Sequence, residues 1–459
     1  MFRKILIANR GEVAVRLART AREMGVGTVG VVSSADREAS WAQTFDEVVC
    51  IGGPAPRESY LRQETILQAA LQTGCSAIHP GWGFLAEQPR FAALCEQHGI
   101  TFIGPSANMM SKMGLKWPAK RTMRAAGLTV IPGSEGLLAD ADEASRVAQD
   151  TGFPVIIKAD SGGGGRGMRL CHSVEDVMQA FPSARAEAES AFGSGALYLE
   201  SYLTGGRHIE VQLMADSFGN AIHIGERECS IQRHHQKLIE ESPSPALSDA
   251  ERAELGRTAA EATARIGYRG AGTIEFLRRE SDGQLCFMEM NTRLQVEHTV
   301  SEEVSGLDIV RAQLEVAANR PLGITQDDVK LTGHAIECRI NAEDPSDDFR
   351  PTPGRLESFR FGSDVGPGRI RIDTHLQVGD EISPYYDSLI AKVIAWGETR
   401  AAAIETMQAC LNASEITGVS TTIPLHLAVL ASPEFQSGHY DTRSIPGWPA
   451  SPAAVASSL

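Results

Sequence analysis

Alternating polar side chains mark one short stretch of the sequence as a candidate site for chemistry. In FMEMNTRLQVEH (287–298) the odd positions from 289 onward are Glu289, Asn291, Arg293, Gln295 and Glu297, whereas the even positions are largely apolar or small. Successive side chains of a strand point to opposite faces, so an extended chain would place all five polar groups on one face. The alternative is a solvated polar face laced with salt bridges.

A second carboxylate upstream favours a metal site. TIEFL places Glu275 among apolar neighbours, and a turn around Asp282 joins it to the first stretch. If the antiparallel pairing is symmetric about Asp282, without a bulge, Glu275 faces Glu289. Opposed like charges destabilise a sheet, and a hard divalent cation would resolve the conflict. We therefore predict that Glu275, Glu289 and Asn291 bind Mg²⁺ or Mn²⁺, with phosphate oxygens completing the coordination shell.

A basic segment offers a binding site for an anion. In GERECSIQRHHQKLIEE, Arg233, His235 and Lys237 share one parity and follow Gln232. A local cluster of cations in an acidic chain indicates a specific anion site. The alternative is a surface loop whose cations are solvated by the glutamates at 240 and 241.

A glycine run provides a candidate phosphate-binding loop. KADSGGGGRGMRL (158–170) contains the pattern G-x-G-x-x-G, but short apolar segments that read as strands lie on both sides, whereas a dinucleotide fingerprint opens a helix. A Walker loop would need Lys and then Ser or Thr after its last glycine, where this chain has Met168 and Arg169. The remaining interpretations are a hairpin tip whose backbone N–H groups approach an anion, and a flexible surface turn.

Composition limits the class of protein. The chain has 459 residues, 42% apolar residues and a net charge of −15, which is typical of globular proteins of roughly three domains and argues against nucleic-acid or anionic-membrane partners. The eight cysteines show no metal-binding spacing, and the N-terminal apolar run is too short for a signal peptide. We expect a reduced protein in the cytoplasm.

The pattern of elements predicts a multidomain α/β and α+β fold. In the first hundred residues short apolar runs alternate with helical patterns, which indicates a parallel sheet. A helical segment follows near 105–127, interrupted at Pro118, and then a small lid subdomain with the glycine run. Hairpins dominate 207–298, with a helix near 249–267 that Ser248 and Glu251 cap and another near 302–319. The tail, 447–459, is expected to be disordered.

Several blocks together resemble the biotin carboxylases of the ATP-grasp superfamily. These blocks are KILIANRGE, HPGWGFLAE, KADSGGGGRGMR, RHIEVQ, ERECSIQRHHQK, EMNTRLQVEH, GHAIECRINAED and YYDSLIAK, and they run from residue 4 to about 445. The resemblance implies a Rossmann-like pre-ATP-grasp domain (1–113), an ATP-grasp domain (114–330) with its lid at about 130–203, and a C-terminal biotin carboxylase domain (331–446). It also implies that ATP and bicarbonate form carboxyphosphate, which carboxylates biotin on a partner protein.

The resemblance assigns a role to each matched residue. The ATP-binding residues would be Lys116, Lys158, Gly163, Gly164, Gly165, Glu200, Leu203, His208, Gln232 and His235. The metal ligands would again be Glu275, Glu289 and Asn291. Bicarbonate would be bound by Lys237, Arg293, Gln295 and the backbone of Val296. Glu297 would take the proton of bicarbonate, and Arg339 would stabilise the enolate form of biotin.

One distance limits this assignment. Eight residues of straight strand at about 3.3 Å each would put Glu297 roughly 26 Å from Glu289, too far for metal, ATP and base to share one pocket. The chain must therefore bend or leave the strand between Asn291 and Glu297.

The chain also departs from the family pattern. Ser201 stands where many relatives have lysine, Trp82 where bacterial proteins usually have tyrosine, and Leu115 where aspartate is common, and these positions bear on nucleotide affinity. No Met-Lys-Met biotinylation tripeptide follows the carboxylase region. The resemblance therefore implies a homodimer that acts on a separate biotin carboxyl carrier protein, together with carboxyltransferase subunits, in acetyl-CoA carboxylase or a related acyl-CoA carboxylase.

Three other functions remain open. The chain could belong to a pyruvate- or propionyl-type carboxylase, or it could be another ATP-grasp ligase that passes the activated carboxylate to an amine. It could also be a nucleotide-binding regulatory protein without turnover, although such a protein would be expected to lose Glu297, Arg339 or a metal carboxylate, and none is lost.

Overall fold

The computed structural model describes residues 1–161, 167–203, 205–234 and 236–449. The predictions for Gly163, Gly164, Gly165, His235 and most of the tail fall outside these ranges. Among the described residues, no helix combines the length and the apolar character needed to span a bilayer.

The first 125 residues begin with a parallel sheet, as predicted. Its strand order is β3-β2-β1-β4-β5, and Ile5, Leu6 and Ile7 are fully buried, as expected for a parallel sheet covered on both faces. The elements are β1 (Lys4–Ile7), α1 (Gly11–Glu23), β2 (Gly27–Val32), β3 (Glu47–Cys50), α2 (Gln63–Gln72), β4 (Ala77–His79), α3 (Pro89–Gln97), β5 (Thr101–Phe102), α4 (Ala107–Gly114) and α5 (Lys116–Ala125).

The predicted interruption at Pro118 was wrong by three residues. The backbone leaves the helical conformation at Leu115, and Pro118 is the third residue of α5. Proline is tolerated there because the first N–H groups of a helix have no intrahelical partner. Asp160 meets those groups instead: its carbonyl accepts from Lys116 N at 3.0 Å and its carboxylate from Trp117 N at 2.7 Å. The start of α5, with Lys116, is thereby tied to the segment that leads into the glycine run.

The lid region forms a small antiparallel sheet with its own apolar core. Strand order is β7-β6-β8, and the predicted strands on the two sides of the glycine run pair with each other. Val155, Ile157 and Leu199 are buried against the two helices. The elements are α6 (Ala141–Thr151), β6 (Val155–Ala159), β7 (Arg169–Cys171), α7 (Val174–Phe192) and β8 (Leu197–Ser201).

The remainder of the chain is organised around one antiparallel sheet of eight strands. The elements up to residue 317 are β9 (Arg207–Ala215), β10 (Ala221–Arg233), β11 (Gln236–Ser242), α8 (Asp249–Arg265), β12 (Gly270–Arg278), β13 (Leu285–Asn291), α9 (His298–Ser305) and α10 (Ile309–Ala317). The predicted capping box of α8 is present, since Ser248 and Glu251 exchange hydrogen bonds. The single helix predicted near 302–319 was wrong: Gly306 adopts a left-handed conformation and ends α9, and Asp308 caps α10.

The C-terminal third extends the same sheet. The strand order β13-β12-β9-β10-β11-β14-β21-β19 crosses residue 330, so the two predicted domains share a continuous sheet. The elements are β14 (His334–Asn341), β15 (Glu343–Asp344), β16 (Arg350–Pro351), β17 (Gly354–Arg355), β18 (Ser358–Arg360), β19 (Arg369–Thr374), β20 (Glu381–Ile382), β21 (Leu389–Gly397), α11 (Arg400–Asn412), β22 (Glu415–Thr417), α12 (Ile423–Ala431) and α13 (Pro433–Ser437).

A fully buried arginine ties the centre of this sheet together. The Arg227 guanidinium donates to Glu210 Oε1 at 2.6 Å, Gln212 Oε1 at 2.6 Å, Ser301 Oγ at 3.0 Å and Thr273 Oγ1 at 3.1 Å. These partners lie on β9, β12 and α9, so one side chain of β10 holds three other elements. A buried charge is tolerated only when its hydrogen bonds are satisfied in this way.

Arg227→Met should lower the free energy of unfolding by about 3–5 kcal/mol, because it leaves the buried Glu210 without one of its cations. Chemical denaturation measures the change. Arg257→Met is the control, because Arg257 is exposed on α8 and its ion-pair partners among the described residues are Glu254 and Glu261. Equal, small effects of the two substitutions would contradict the assigned role of Arg227.

Candidate active site

One cleft gathers every predicted site residue that the structure describes. It has a volume of about 1080 Å³ and opens between the lid sheet and the eight-stranded sheet. The predicted residues that line it are Lys116, Lys158, Glu200, Leu203, His208, Gln232, Lys237, Glu275, Glu289, Asn291, Arg293, Gln295, Val296, Glu297 and Arg339. A cleft of this size accommodates a nucleotide together with a second small substrate.

The predicted pairing of Glu275 with Glu289 is confirmed, although the hairpin is not symmetric. Near the turn Phe276 pairs with Phe287, one residue closer than symmetry about Asp282 requires. A bulge at Met288 adds the missing residue, and Glu275 then pairs with Glu289. The condition of a hairpin without a bulge is not met, but the bulge restores the register where the two carboxylates lie.

Each of the two glutamates has its own cation. Glu275 Oε1 lies 3.1 Å from Lys237 Nζ, and Glu275 Oε2 lies 3.1 Å from His208 Nε2. Burial alone would raise the pKa of Glu275, but the contacts with Lys237 and His208 lower it below its ordinary value. Glu289 is more exposed and lies 3.3 Å from Lys116 Nζ. These cations relieve the like-charge conflict that the sequence predicted.

The donor set also fits a hard divalent cation. Two carboxylates and the Asn291 side-chain carbonyl are the oxygen ligands that Mg²⁺ prefers. Asn291 Nδ2 donates to Glu275 Oε1 at 2.8 Å, and Asn291 Oδ1 accepts from Arg293 at 3.1 Å. The amide is thus oriented by its neighbours, with its oxygen on the side of Arg293.

The polar residues after Asn291 reach the cleft by leaving the strand. β13 ends at Asn291, and Glu297 is the residue that immediately precedes α9. The prediction that all five polar groups share one strand face was therefore wrong for Arg293, Gln295 and Glu297. The prediction that the chain must leave the strand before Glu297 is confirmed. Glu87 fixes this exit, since Oε1 accepts from Thr292 N and Oε2 from Arg293 Nε, each at 2.9 Å.

Lys237 lies at the centre of the buried charges. Its Nζ is 2.5 Å from Glu210 Oε2, 3.1 Å from Glu275 Oε1 and 2.6 Å from Glu297 Oε1. Burial would lower the pKa of Lys237, but the three carboxylates raise it well above its usual value. The lysine is therefore charged, and it joins the predicted metal ligand Glu275 to the predicted base Glu297.

Arg339 completes the cluster from β14. It donates to Glu240 Oε1 at 2.6 Å and to Glu297 Oε2 at 2.8 Å. Burial would raise the pKa of Glu297, yet Lys237 and Arg339 hold it well below the ordinary value. Glu240 and Glu241 are buried, which contradicts the alternative of a solvated surface loop around the basic segment.

The lid side of the cleft carries a second cluster. Glu200 on β8 contacts Lys158 Nζ and lies 2.9 Å from Lys120 Nζ. Burial would raise the pKa of Glu200, but the two lysines lower it. On the eight-stranded sheet, His208 Nδ1 lies 2.9 Å from Gln232 Nε2, and His208 Nε2 lies 3.1 Å from Glu275 Oε2.

Sequence reasoning missed four residues of these clusters. Glu87 lies within HPGWGFLAE and Glu210 within RHIEVQ, so both belong to blocks that carry the family resemblance, but neither had a role. Lys120 and Glu240 show no distinguishing spacing. A signal for Glu210 existed, because His208, Glu210 and Gln212 alternate with apolar residues.

Comparisons with known proteins match three regions of the chain. Three family models match: the N-terminal domain of biotin carboxylase over residues 1–110, the ATP-binding domain of the carbamoyl-phosphate synthase L chain over 116–325, and the C-terminal domain of biotin carboxylase over 337–446.

Similar proteins cover almost the whole chain. The biotin carboxylase of Nostoc sp. is 51% identical over 96% of this chain and 98% of its own. A pyruvate carboxylase subunit of Methanothermobacter thermautotrophicus is 48% identical over 97% of this chain and 90% of its own. A crystal structure of the biotin carboxylase domain dimer of Hydrogenobacter thermophilus 2-oxoglutarate carboxylase, with MgADP, ADP and bicarbonate, has a TM-score of 0.92 and 45% identity over 96% of this chain and 97% of its own. The chain belongs to the biotin carboxylase family of ATP-dependent ligases.

Proposed function

We propose that the cleft uses ATP and bicarbonate to carboxylate biotin carried by a separate protein. The observation that carries the proposal is the contact of Glu297 with both Lys237 and Arg339, at 2.6 and 2.8 Å, in the cleft that also holds Lys116 and Lys158. One cavity thereby holds the proposed base, Glu297, and the cations proposed to bind bicarbonate, the ATP phosphates and the ureido oxygen of biotin. The relatives support the same reaction, since the H. thermophilus structure contains MgADP and bicarbonate.

The nucleotide belongs on the side of the lid. We assign Lys116 and Lys158 to the phosphate oxygens and Leu203 and Glu200 to the adenine side, since all four line the cleft. His208 and Gln232 complete the described part of the ATP site, and Gly163, Gly164, Gly165 and His235 remain predicted contacts. Glu275, Glu289 and Asn291 would hold Mg²⁺ or Mn²⁺, which would neutralise phosphate charge during transfer.

Bicarbonate belongs beside Lys237, Arg293, Gln295 and the backbone of Val296. Glu297 takes the hydroxyl proton of bicarbonate while a bicarbonate oxygen attacks the γ-phosphorus of ATP, and ADP leaves. The product, carboxyphosphate, separates into CO₂ and phosphate, and that phosphate takes the N1′ proton of biotin. Arg339 stabilises the negative charge on the ureido oxygen, and N1′ then attacks CO₂.

The charges around Glu297 make its basicity depend on the substrate. In the described state two cations hold the pKa of Glu297 low, so the carboxylate is a weak base. A bicarbonate anion that draws Lys237 toward itself removes part of this stabilisation. The pKa of Glu297 then rises toward the range in which it accepts a proton efficiently.

The biological context is also part of the proposal. We assign the chain to an acetyl-CoA carboxylase or a related acyl-CoA carboxylase, as a homodimer that works in the cytoplasm with a biotin carboxyl carrier protein and carboxyltransferase subunits. The eight free cysteines fit a reducing compartment. The similarity to a pyruvate carboxylase component supports a second candidate, a carboxylase of 2-oxo acids. Reconstitution with the carrier protein, and assay of acyl-CoAs against pyruvate and 2-oxoglutarate, distinguishes the two.

The purified protein should cleave ATP in the presence of Mg²⁺ and bicarbonate, and free biotin should accelerate the reaction, because Arg339 stabilises the biotin enolate without the carrier. Phosphate release measures the rate. ATP cleavage that does not depend on bicarbonate would contradict the proposal, and acceleration by amines instead of biotin would favour another ATP-grasp ligase.

Glu297→Gln should lower bicarbonate-dependent turnover by about 10²- to 10⁴-fold, the range for loss of a general base, and leave the affinity for ATP near that of the parent. Steady-state kinetics and nucleotide binding measure the two quantities. Glu303→Gln is the control, since Glu303 lies on α9, the helix that Glu297 precedes, and does not line the cleft. A variant that loses ATP binding but keeps its bicarbonate response would show that Glu297 has a structural role.

Glu289→Gln should raise the Mg²⁺ concentration needed for half-maximal ATP cleavage, because it replaces a charged oxygen ligand by a neutral one. Titration of the rate with Mg²⁺ and with Mn²⁺ measures the change. Glu280→Gln makes the same chemical change at an exposed position of the same hairpin and should have no effect. Identical metal dependence in the parent and Glu289→Gln would remove Glu289 from the metal site.

A further inference from the structure

Two consecutive peptide groups at the bicarbonate side of the cleft are held by their carbonyl oxygens. The Gln295 carbonyl accepts from His298 Nδ1 at 2.8 Å, and the Val296 carbonyl accepts from Lys392 Nζ at 2.7 Å. His298 begins α9 and Lys392 lies on β21, so two separate elements hold the segment. Neither residue lines the cleft, whereas Gln295, Val296 and Glu297 do.

The contact of His298 has a defined direction. Its side chain is 1% exposed, and burial together with the positive charges of Lys392, Arg16 and Arg371 lowers its pKa well below the ordinary value. The ring is therefore neutral, and because a carbonyl only accepts, Nδ1 carries the proton. Nε2 has no hydrogen-bond partner among the described residues, and its nearest carboxylate oxygen belongs to Glu302, 3.8 Å away. Among the described residues, the hydrogen bond to the Gln295 carbonyl is therefore the one that the imidazole ring makes.

Lys392 is a fully buried cation. Its Nζ lies 3.5 Å from Glu12 Oε2, and Asp373 lies opposite it on β19. Burial would lower the pKa of Lys392, but Glu12, Glu337 and Asp373 raise it. A buried charge is costly, so an ammonium group whose hydrogen bond goes to a peptide carbonyl fixes that peptide strongly.

The direction of the carbonyls determines the direction of the N–H groups. In a planar trans peptide the N–H points opposite to the C=O. With the two carbonyls held by His298 and Lys392, the N–H groups of Val296 and Glu297 point away from these residues. Neither N–H donates to an acceptor within the described part of the chain.

We propose that His298 and Lys392 are positioning residues that hold the N–H groups of Val296 and Glu297 toward the cleft as oriented donors for bicarbonate. The inference rests on the proposed function and adds two residues to it that do not contact the substrate. Donors fixed before the substrate arrives need no reorganisation during the reaction, which is the condition under which they stabilise an anion most.

The test compares substitutions that keep or remove the donor of His298. In His298→Asn the side-chain amide nitrogen takes the place of Nδ1, whereas His298→Leu has no donor, and His298→Gln places its amide near the position of Nε2. His334→Leu is the control, because His334 is also buried but contacts Glu241 outside the cleft. The measured quantities are KM for bicarbonate, KM for ATP and thermal stability.

We expect His298→Leu to raise KM for bicarbonate by about 10- to 100-fold, the range for weakened hydrogen bonds to a charged group, with KM for ATP nearly unchanged. His298→Asn should recover most of the loss, His298→Gln should not, and His334→Leu should change stability without changing KM for bicarbonate. If His298→Leu does not fold, the comparison of His298→Asn with His298→Gln gives the same test.

A second pair of substitutions tests Lys392 independently. Lys392→Met is combined with Glu12→Gln, so that the carboxylate nearest Lys392 does not lose its cation, and Glu12→Gln alone is the reference. The double variant should again raise KM for bicarbonate selectively.

The outcomes separate this inference from the proposed function. If the parent protein shows no bicarbonate-dependent ATP cleavage, the proposed function fails and the inference fails with it. Suppose instead that the parent shows bicarbonate-dependent ATP cleavage. The positioning role alone is then overturned if KM for bicarbonate and KM for ATP rise together in the variants, or if His298→Asn and His298→Leu behave alike.

Discussion

The ion cluster around Lys237 is the interaction on which the rest of the site depends. One ammonium group contacts Glu210 of β9, Glu275 of β12 and Glu297, which immediately precedes α9. Removing charges from water costs several kcal/mol for each ion, and only close pairing offsets this cost. The stability that this pairing contributes also depends on pH, because the pKa values of Glu275 and Glu297 are lowered in the folded protein. The contribution is present above the ordinary glutamate pKa of about 4.3 and is lost as the pH falls below it.

The sequence was most informative where local patterns determine the structure. Alternating apolar runs predicted the parallel sheet, spacing about a turn predicted the Glu275–Glu289 pair, and Ser248 with Glu251 predicted the start of α8. The errors also have local causes. Proline is permitted within the first turn of a helix, so Pro118 did not mark the end of one. Gly306 ends a helix in a left-handed conformation that periodicity alone does not reveal.

The site was harder to predict because its residues meet only in three dimensions. Glu87 holds Arg293 across 206 positions of sequence, and Lys392 reaches the Val296 carbonyl across 96. Residue type gives no indication of such partners: Lys120 and Glu240 resemble ordinary surface residues until their burial is known. The family resemblance supplied roles for residues that are predicted to touch substrates, but the structure was needed to identify the residues that hold them in place.

The same charges explain why the cleft would not use water in place of bicarbonate. Both cations assigned to bicarbonate already have partners, since Lys237 contacts three carboxylates and Arg293 contacts Glu87. A neutral water molecule cannot replace the carboxylates as a partner of these cations. Lys237 therefore stays in contact with Glu297 and keeps the pKa of Glu297 low. An anion would provide that charge, and by drawing Lys237 away from Glu297 it would create a stronger base next to its own proton. Under the proposed function, activation of the base and binding of the correct substrate would then be one event, and ATP hydrolysis without bicarbonate should be slow for electrostatic reasons.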